Sequence, residues 1–139
     1  MIRQLSVFVE NTTGSIYQVT SALNEAGINI RAISSFDTPD FGILRLVVDD
    51  TARAKEYLTS RGFVVRIHEV IGVELEDRPG SLNALLHTMA ENEISINYIY
   101  SFIIRNGKAP VMVFSTDGYE KALEALKKES IHIISDDEL

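Results

Sequence analysis

The sequence predicts an α+β fold: two successive βαββαβ units with antiparallel sheets set side by side and the helices on one sheet face. Three observations point there. First, the chain repeats itself. Gly14-Ser15 recurs as Gly80-Ser81, 66 positions later, and the same offset pairs Val7 with Val73, Glu25 with Glu91, Ile30 with Ile96, and Ser35-Phe36 with Ser101-Phe102. Beyond Thr51 the register shifts and then continues, aligning Ala54 with Ala122, Leu58 with Leu126 and Val65 with Ile133. Second, each copy alternates apolar and polar residues in some stretches and spaces apolar residues helically in others. Third, a chain of 139 residues that is 45% hydrophobic and 24% charged has the balance of a folded globular protein.

The elements follow in order. Leu5, Val7 and Val9 alternate with Ser6, Phe8 and Glu10 and predict a half-buried strand; Ile71, Val73 and Leu75 alternate with Gly72, Glu74 and Glu76 in the second copy. After the glycine, Ile16, Val19, Leu23 and Ala26, matched by Leu82, Leu85, Met89 and Ala90, predict a helix. Pro79 suits a first helical turn, where its missing N–H costs nothing. Two strands come next, residues 28–36 with 43–48 and residues 94–104 with 110–115, joined by turn-rich linkers at 37–42 and 105–108. A second helix covers 51–60 in copy one. In copy two it is marked by Tyr119, Ala122, Leu123 and Leu126. Last strands at 63–67 and 131–134 close the units.

This order is the ferredoxin-like split motif, with units expected at 1–68 and 69–139 and no flexible linker at their seam. A half of this size buries too little surface to be comfortably stable alone, so the copies are expected to lean on each other. If Val7, Ile30 and Leu46 face the helices, then Phe8, Ile33, Val47, Ile99, Val111 and Val113 face away. A sheet face so apolar calls for a cover, and a second subunit is expected there, giving a homodimer.

Composition removes several function classes. The formal net charge of −7, without a local Lys/Arg cluster, disfavours nucleic acid and anionic membranes as partners. The absence of cysteine removes disulfides, zinc ribbons and thiol chemistry. The apolar stretch at Met1–Val9 is too short for a signal core or a membrane span, so a cytoplasmic location is expected. No cofactor, metal or catalytic residue is assigned. His68, His87 and His132 do not occupy corresponding places in the copies, whereas a site duplicated with the fold keeps its residues matched. His87 and Glu91, one turn apart, read as a solvated helix face.

The repeated loop carries the functional signal. Asp77-Arg78-Pro79-Gly80-Ser81 follows an alternating strand and precedes Ile94-Ser95-Ile96-Asn97, a pattern that resembles the ACT domain family. Copy one matches as Asn11-Thr12-Thr13-Gly14-Ser15, followed by Gly27-Ile28-Asn29-Ile30. It departs from the family pattern at Thr13, where proline is usual, and copy two has Glu93 where copy one has Gly27. Val9 and Leu75 stand where some serine-binding members carry histidine, so serine specificity is not implied.

The resemblance implies a regulatory protein without catalysis. It binds a free amino acid between ACT units, using this loop from one unit and the start of the second strand from the other. Asn11, Thr12, Thr13, Gly14 and Ser15 would then face Ser95 and Asn97, and Asp77, Arg78, Pro79, Gly80 and Ser81 would face Asn29 and Arg31. The glycine admits a ligand close to the backbone, and free N–H groups at a helix start can meet a carboxylate. The same residues have a plainer reading, in which Asn11, Thr12, Thr13 and Asp77 cap helices. Glu10, Glu76 and Asp77 favour a cationic or imidazole-bearing ligand, with histidine, lysine and arginine ahead of acidic amino acids. Output would pass to a separate regulated protein. The competing reading is a dimerisation or partner-docking module with a vestigial ligand site.

Overall fold

The computed structural model describes residues 1–103 and 107–138. The end of the expected strand at Ile104, the linker residues Arg105 and Asn106, and Leu139 lie outside the described residues. The chain divides into two compact units, Arg3–Glu69 and Val70–Leu139, the second also including Met1–Ile2.

The first unit runs β1 (Ile2–Val9), α1 (Ser15–Glu25), β2 (Ile30–Asp37), β3 (Gly42–Val48), α2 (Thr51–Ser60) and the start of β4 (Val64–Glu74). β3 pairs antiparallel with both β1 and β2, and β4 neighbours β1. The second unit continues with the end of β4, then α3 (Ser81–Glu91), β5 (Ile96–Ser101), β6 (Val111–Thr116), α4 (Tyr119–Lys128) and β7 (Ile133–Ile134), closed by a 3-10 turn at Asp136–Glu138. β6 pairs antiparallel with β4 and β5, and β7 joins β4 through Gly72 and Val73. The last strand of one repeat and the first strand of the next are thus a single strand, β4, and the seam at His68–Val70 lies inside it.

Each unit packs both helices on one sheet face. In the first, Val19, Ala22 and Leu23 of α1 and Ala54 and Leu58 of α2 meet Leu5, Val7, Leu44, Leu46 and Val48 in one cluster. In the second, Leu85, Met89, Ala122, Ala125 and Leu126 meet Ile71, Val73 and Phe114. Burying each such leucine contributes about 1.5–3 kcal/mol. Asp50 caps α2 by accepting from the Arg53 N–H at 3.1 Å.

The four α-helices among the described residues end the same way. The N–H groups of Ile28, Phe63, Ile94 and Ile131 reach back to the carbonyls of Leu23, Leu58, Met89 and Leu126 at 2.9–3.1 Å. This is a Schellman closure, which places the preceding residue in the left-handed region. Copy one uses Gly27 (φ 69°) and Gly62 (φ 90°); copy two uses Glu93 (φ 56°) and Ser130 (φ 55°). Glu93 therefore adopts the conformation of the glycine it replaces.

The expected strand faces need one correction. Between Ile30, opposite Val48, and Ala32, opposite Val47, β2 gains a residue on β3, and β5 repeats this bulge between Ile96 and Tyr98. A bulge inverts the alternation beyond it. Ile33 consequently lies opposite Leu46, and Ile99 lies opposite Phe114 and packs on the helix-side core. Both face the helices, not away from them. Of the other residues assigned to the far face, Val47 is 0%, Val111 1% and Val113 0% exposed within the single chain. These three need no second subunit to cover them.

Candidate functional site

The loop between the first strand and first helix is built identically in both units. The Thr12 N–H donates to the Glu10 carbonyl at 2.9 Å and the Ser15 N–H to Thr12 at 3.3 Å; Arg78 to Glu76 and Ser81 to Arg78 reproduce these bonds at 2.9 and 3.3 Å. Each turn brings a glycine to the helix N-cap in the left-handed region, Gly14 at φ 85° and Gly80 at φ 90°. That conformation suits glycine because a Cβ is strained there. The turn survives the change from Thr13 to Pro79. Pro79 stands before the cap, not in the first helical turn as expected.

Neither helix receives a side-chain cap. Asn11, Thr12, Thr13 and Asp77 are therefore not caps, and the first-turn amides carry the positive end of the helix dipole without a side-chain acceptor. The Asn11 amide donates instead to the Thr38 carbonyl at 3.2 Å, tying the loop to the end of the β2–β3 hairpin. The hydroxyls of Thr12 and Ser15 share a 2.8 Å hydrogen bond, and the Arg78 guanidinium pairs with Glu76. Ser15 is buried, Ser81 is half-buried, and the rest of both loops is exposed.

Cavities flank these loops. On one side of the first-unit loop a cavity of about 220 Å³ is lined by Glu10, Asn11, Thr12 and Ser15 together with Ser35, Phe36 and Asp37 of the hairpin. Its described lining includes two carboxylates and no basic side chain. On the other side, a cavity of about 360 Å³ runs from Glu10, Thr12 and Ser15 to Gly62, Phe63 and Val64. The second unit builds the counterpart of this one: about 420 Å³, from Glu76, Arg78 and Ser81 to Ser130, Ile131 and His132. Asp37 and Thr38 are expected from the sequence only as linker residues, and Phe63 and Val64, after Gly62, only as the start of the last strand. The shifted repeat register, which aligns Gly62 with Ser130, carried the signal that this turn accompanies the loop.

The starts of the second strands lie elsewhere in each unit. Val9 and Asp37 are both opposite Gly42 at one end of the first sheet, whereas Ile30 is opposite Val48 at the other. Within a unit, Asn29 and Arg31 are thus at the far end from Asn11–Ser15, and the sheet separates Ser95 and Asn97 from Asp77–Ser81 in the same way. Asn29 exchanges two hydrogen bonds with Asp49: its N–H donates to the carboxylate, and its carbonyl accepts the Asp49 N–H, both at 3.1 Å. The Ser95 carbonyl accepts from the Thr116 hydroxyl at 2.7 Å, and the Asn97 amide donates to Asp117 at 3.2 Å.

The histidines occupy separate elements. His87 lies 3.8 Å from Glu91 on the exposed face of α3, and His132 Nε2 is 2.8 Å from Glu138. The Ser135 N–H, and after it His132, hold the Glu138 carboxyl below its ordinary value. Among the described residues no group of three or more His, Cys, Asp or Glu is placed to hold a metal ion, and no helix is long and apolar enough to cross a membrane.

A family model described as an ACT domain pair matches residues 1–139. A crystal structure of a protein from Bacteroides thetaiotaomicron is 31% identical, with a TM-score of 0.89 over 99% of this chain and 94% of that one. The ligand-free regulatory subunit of aspartate kinase from Thermus thermophilus is 18% identical, with a TM-score of 0.63 over 91% of this chain and 90% of that one. Aspartate kinase from Synechocystis is 19% identical, with a TM-score of 0.58, and this chain covers 24% of its length. The two kinase likenesses are of fold alone. No curated protein matches the chain in sequence.

Proposed function

Because the chain belongs to the ACT domain family, as a pair of ACT domains, we propose that it is a regulatory protein without catalysis of its own that binds a free amino acid. The proposed contacts are the loops Asn11–Ser15 and Asp77–Ser81 and the second-strand starts at Asn29, Arg31, Ser95 and Asn97. One observation carries the reading. The same turn, with a left-handed glycine and a helix start lacking any side-chain cap, is made twice from different residues. Each turn lines a cavity, and the helix N–H groups it leaves open can meet a ligand carboxylate.

Glu10 and Asp37 in the first-unit cavity favour a ligand with a cationic or imidazole side chain, histidine first. Output passes to a separate regulated protein, the arrangement named by the kinase regulatory subunit of similar fold. A cytoplasmic location and a homodimer belong to the same proposal, as does the absence of nucleic-acid or membrane partners. The dimer now rests on Phe36 and Phe41, 55% and 42% exposed, and not on the buried valines. Mass spectrometry of the protein purified under native conditions tests the reading. An amino acid released on denaturation, near one equivalent per chain, is the expected result; a chain that carries none and takes none from a mixture of all twenty contradicts it.

A further inference from the structure

The two repeats make the same bulge but leave its extra residue in opposite states. Arg31 stands between Ile30, opposite Val48, and Ala32, opposite Val47; 66 positions on, Asn97 stands between Ile96, opposite Thr116, and Tyr98, opposite Ser115. Bulges re-aim a side chain and recur beside binding sites. In the second unit the bulged side chain is satisfied from within, because the Asn97 amide donates to the Asp117 carboxylate at 3.2 Å. The first unit differs. Arg31 is half-buried, and its Nε is buried with no hydrogen-bond partner among the described residues.

A guanidinium is always charged and cannot relieve a buried, unbonded N–H by losing its proton. It needs an acceptor. Asp49, at the same end of the sheet, accepts the Asn29 N–H with its carboxylate. What fits the vacant donor is a planar group with two oxygens, which a guanidinium edge receives with paired N–H bonds through Nε and one terminal nitrogen. Among the candidate ligand-binding residues, only Arg31 combines permanent positive charge with a buried unsatisfied donor. Arg78, the other cation, pairs with Glu76 at the surface.

We propose that Arg31 is the carboxylate anchor of the ligand site, and that Asn97, already bonded to Asp117, has no such role. The repeats are then unequal: the first supplies a cation that selects the α-carboxylate, and the second does not. This inference rests on the amino-acid-binding reading above and adds to it the chemistry that ligand must carry.

The test uses the full chain. L-histidine, L-lysine and L-arginine, and then the other amino acids at millimolar concentration, are titrated calorimetrically into wild type, Arg31→Gln and Arg31→Lys. The Nε–Hε resonance of Arg31 is followed by NMR in the wild type. Arg31→Gln is expected to weaken binding about 10- to 100-fold, the range of lost charge-assisted hydrogen bonds. Arg31→Lys weakens it less. The Arg31 resonance moves with the binding amino acid and stays in place with the matching amine that lacks the carboxylate: histamine, cadaverine or agmatine. Amino-acid binding that leaves the resonance unmoved, or that survives Arg31→Gln unchanged, overturns the anchor while leaving the ligand reading intact. If no amino acid binds wild type, the ligand reading and the anchor fall together. The resonance needs no variant, so a misfolded Arg31→Gln does not remove the test.

Discussion

At Glu93 and Ser130 the second repeat holds ordinary L-residues where the first has glycine, at φ 56° and 55°. The left-handed conformation costs such residues about 1–2 kcal/mol, while glycine loses about 0.5–1 kcal/mol in chain entropy on folding. Relief of the strain therefore exceeds the entropy loss. Glu93→Gly and Ser130→Gly are each expected to stabilise the protein by about 0.5–1 kcal/mol. Gly14→Ala and Gly80→Ala are expected to destabilise it by about 0.5–1 kcal/mol, the same strain less the chain entropy that alanine saves. A Cβ at either glycine meets nothing within 4 Å, so that cost is conformational and not steric. Chemical denaturation of the four variants checks both signs together; a stabilised Gly80→Ala would mean that the loop relaxes out of its turn. The loop glycines were visible in the sequence because the repeat displays them in pairs. The strained pair was half visible: Glu93 was seen to replace Gly27, whereas Ser130, aligned with Gly62 only in the shifted register, was not singled out.

Among the elements, α2 was placed roughly at Thr51–Ser60 as the counterpart of the second-copy helix, and it occupies those residues. Strand faces read less well. Strict alternation from Ile30 sends Ile33 to the far side, and the bulge returns it to the helices. The clue was present: Ile30 and Ile33, like Ile96 and Ile99, are spaced by an odd number, which an unbroken strand cannot place on one face. The terminal 3-10 turn had no such signal, since Glu138 acts through contacts with Ser135 and His132 that the fold creates. Its carboxyl is held below the ordinary 4.5 by the Ser135 N–H first and by His132 next. A depressed carboxyl pKa stabilises the fold above the unfolded-state value, and that contribution is lost as pH falls through the folded-state value. Glu138→Gln should thus lower the melting temperature at neutral pH, and its difference from wild type should shrink as pH drops below 4.5. A difference that persists or grows under acid would show that the clamp does not act through charge.

For the whole molecule, the repeat was the strongest thing the sequence had to say. It exposed the fold, the doubled loop and the family resemblance, because duplication turns a short motif into a paired one. The burial of Val47, Val111 and Val113 within one chain was not visible in the sequence, since a pattern of apolar residues shows that a face is covered without showing by what. Each unit also sets its loop and its bulge at opposite ends of the sheet, a separation that becomes clear only once strand register is known. The functional account reduces to one claim, that the folded chain binds a free amino acid.

Ligand-linked stability tests that claim most directly. A ligand bound only by the folded state adds RT ln(1 + [L]/Kd), about 2.7 kcal/mol at a hundredfold excess over Kd, which raises the melting temperature by several degrees for a chain of this size. In a melting screen of all twenty amino acids at millimolar concentration, the account predicts a reproducible rise with one amino acid or a close group, with histidine, lysine or arginine ahead of aspartate and glutamate. A flat response to all twenty would contradict it and favour a docking module with a vestigial site.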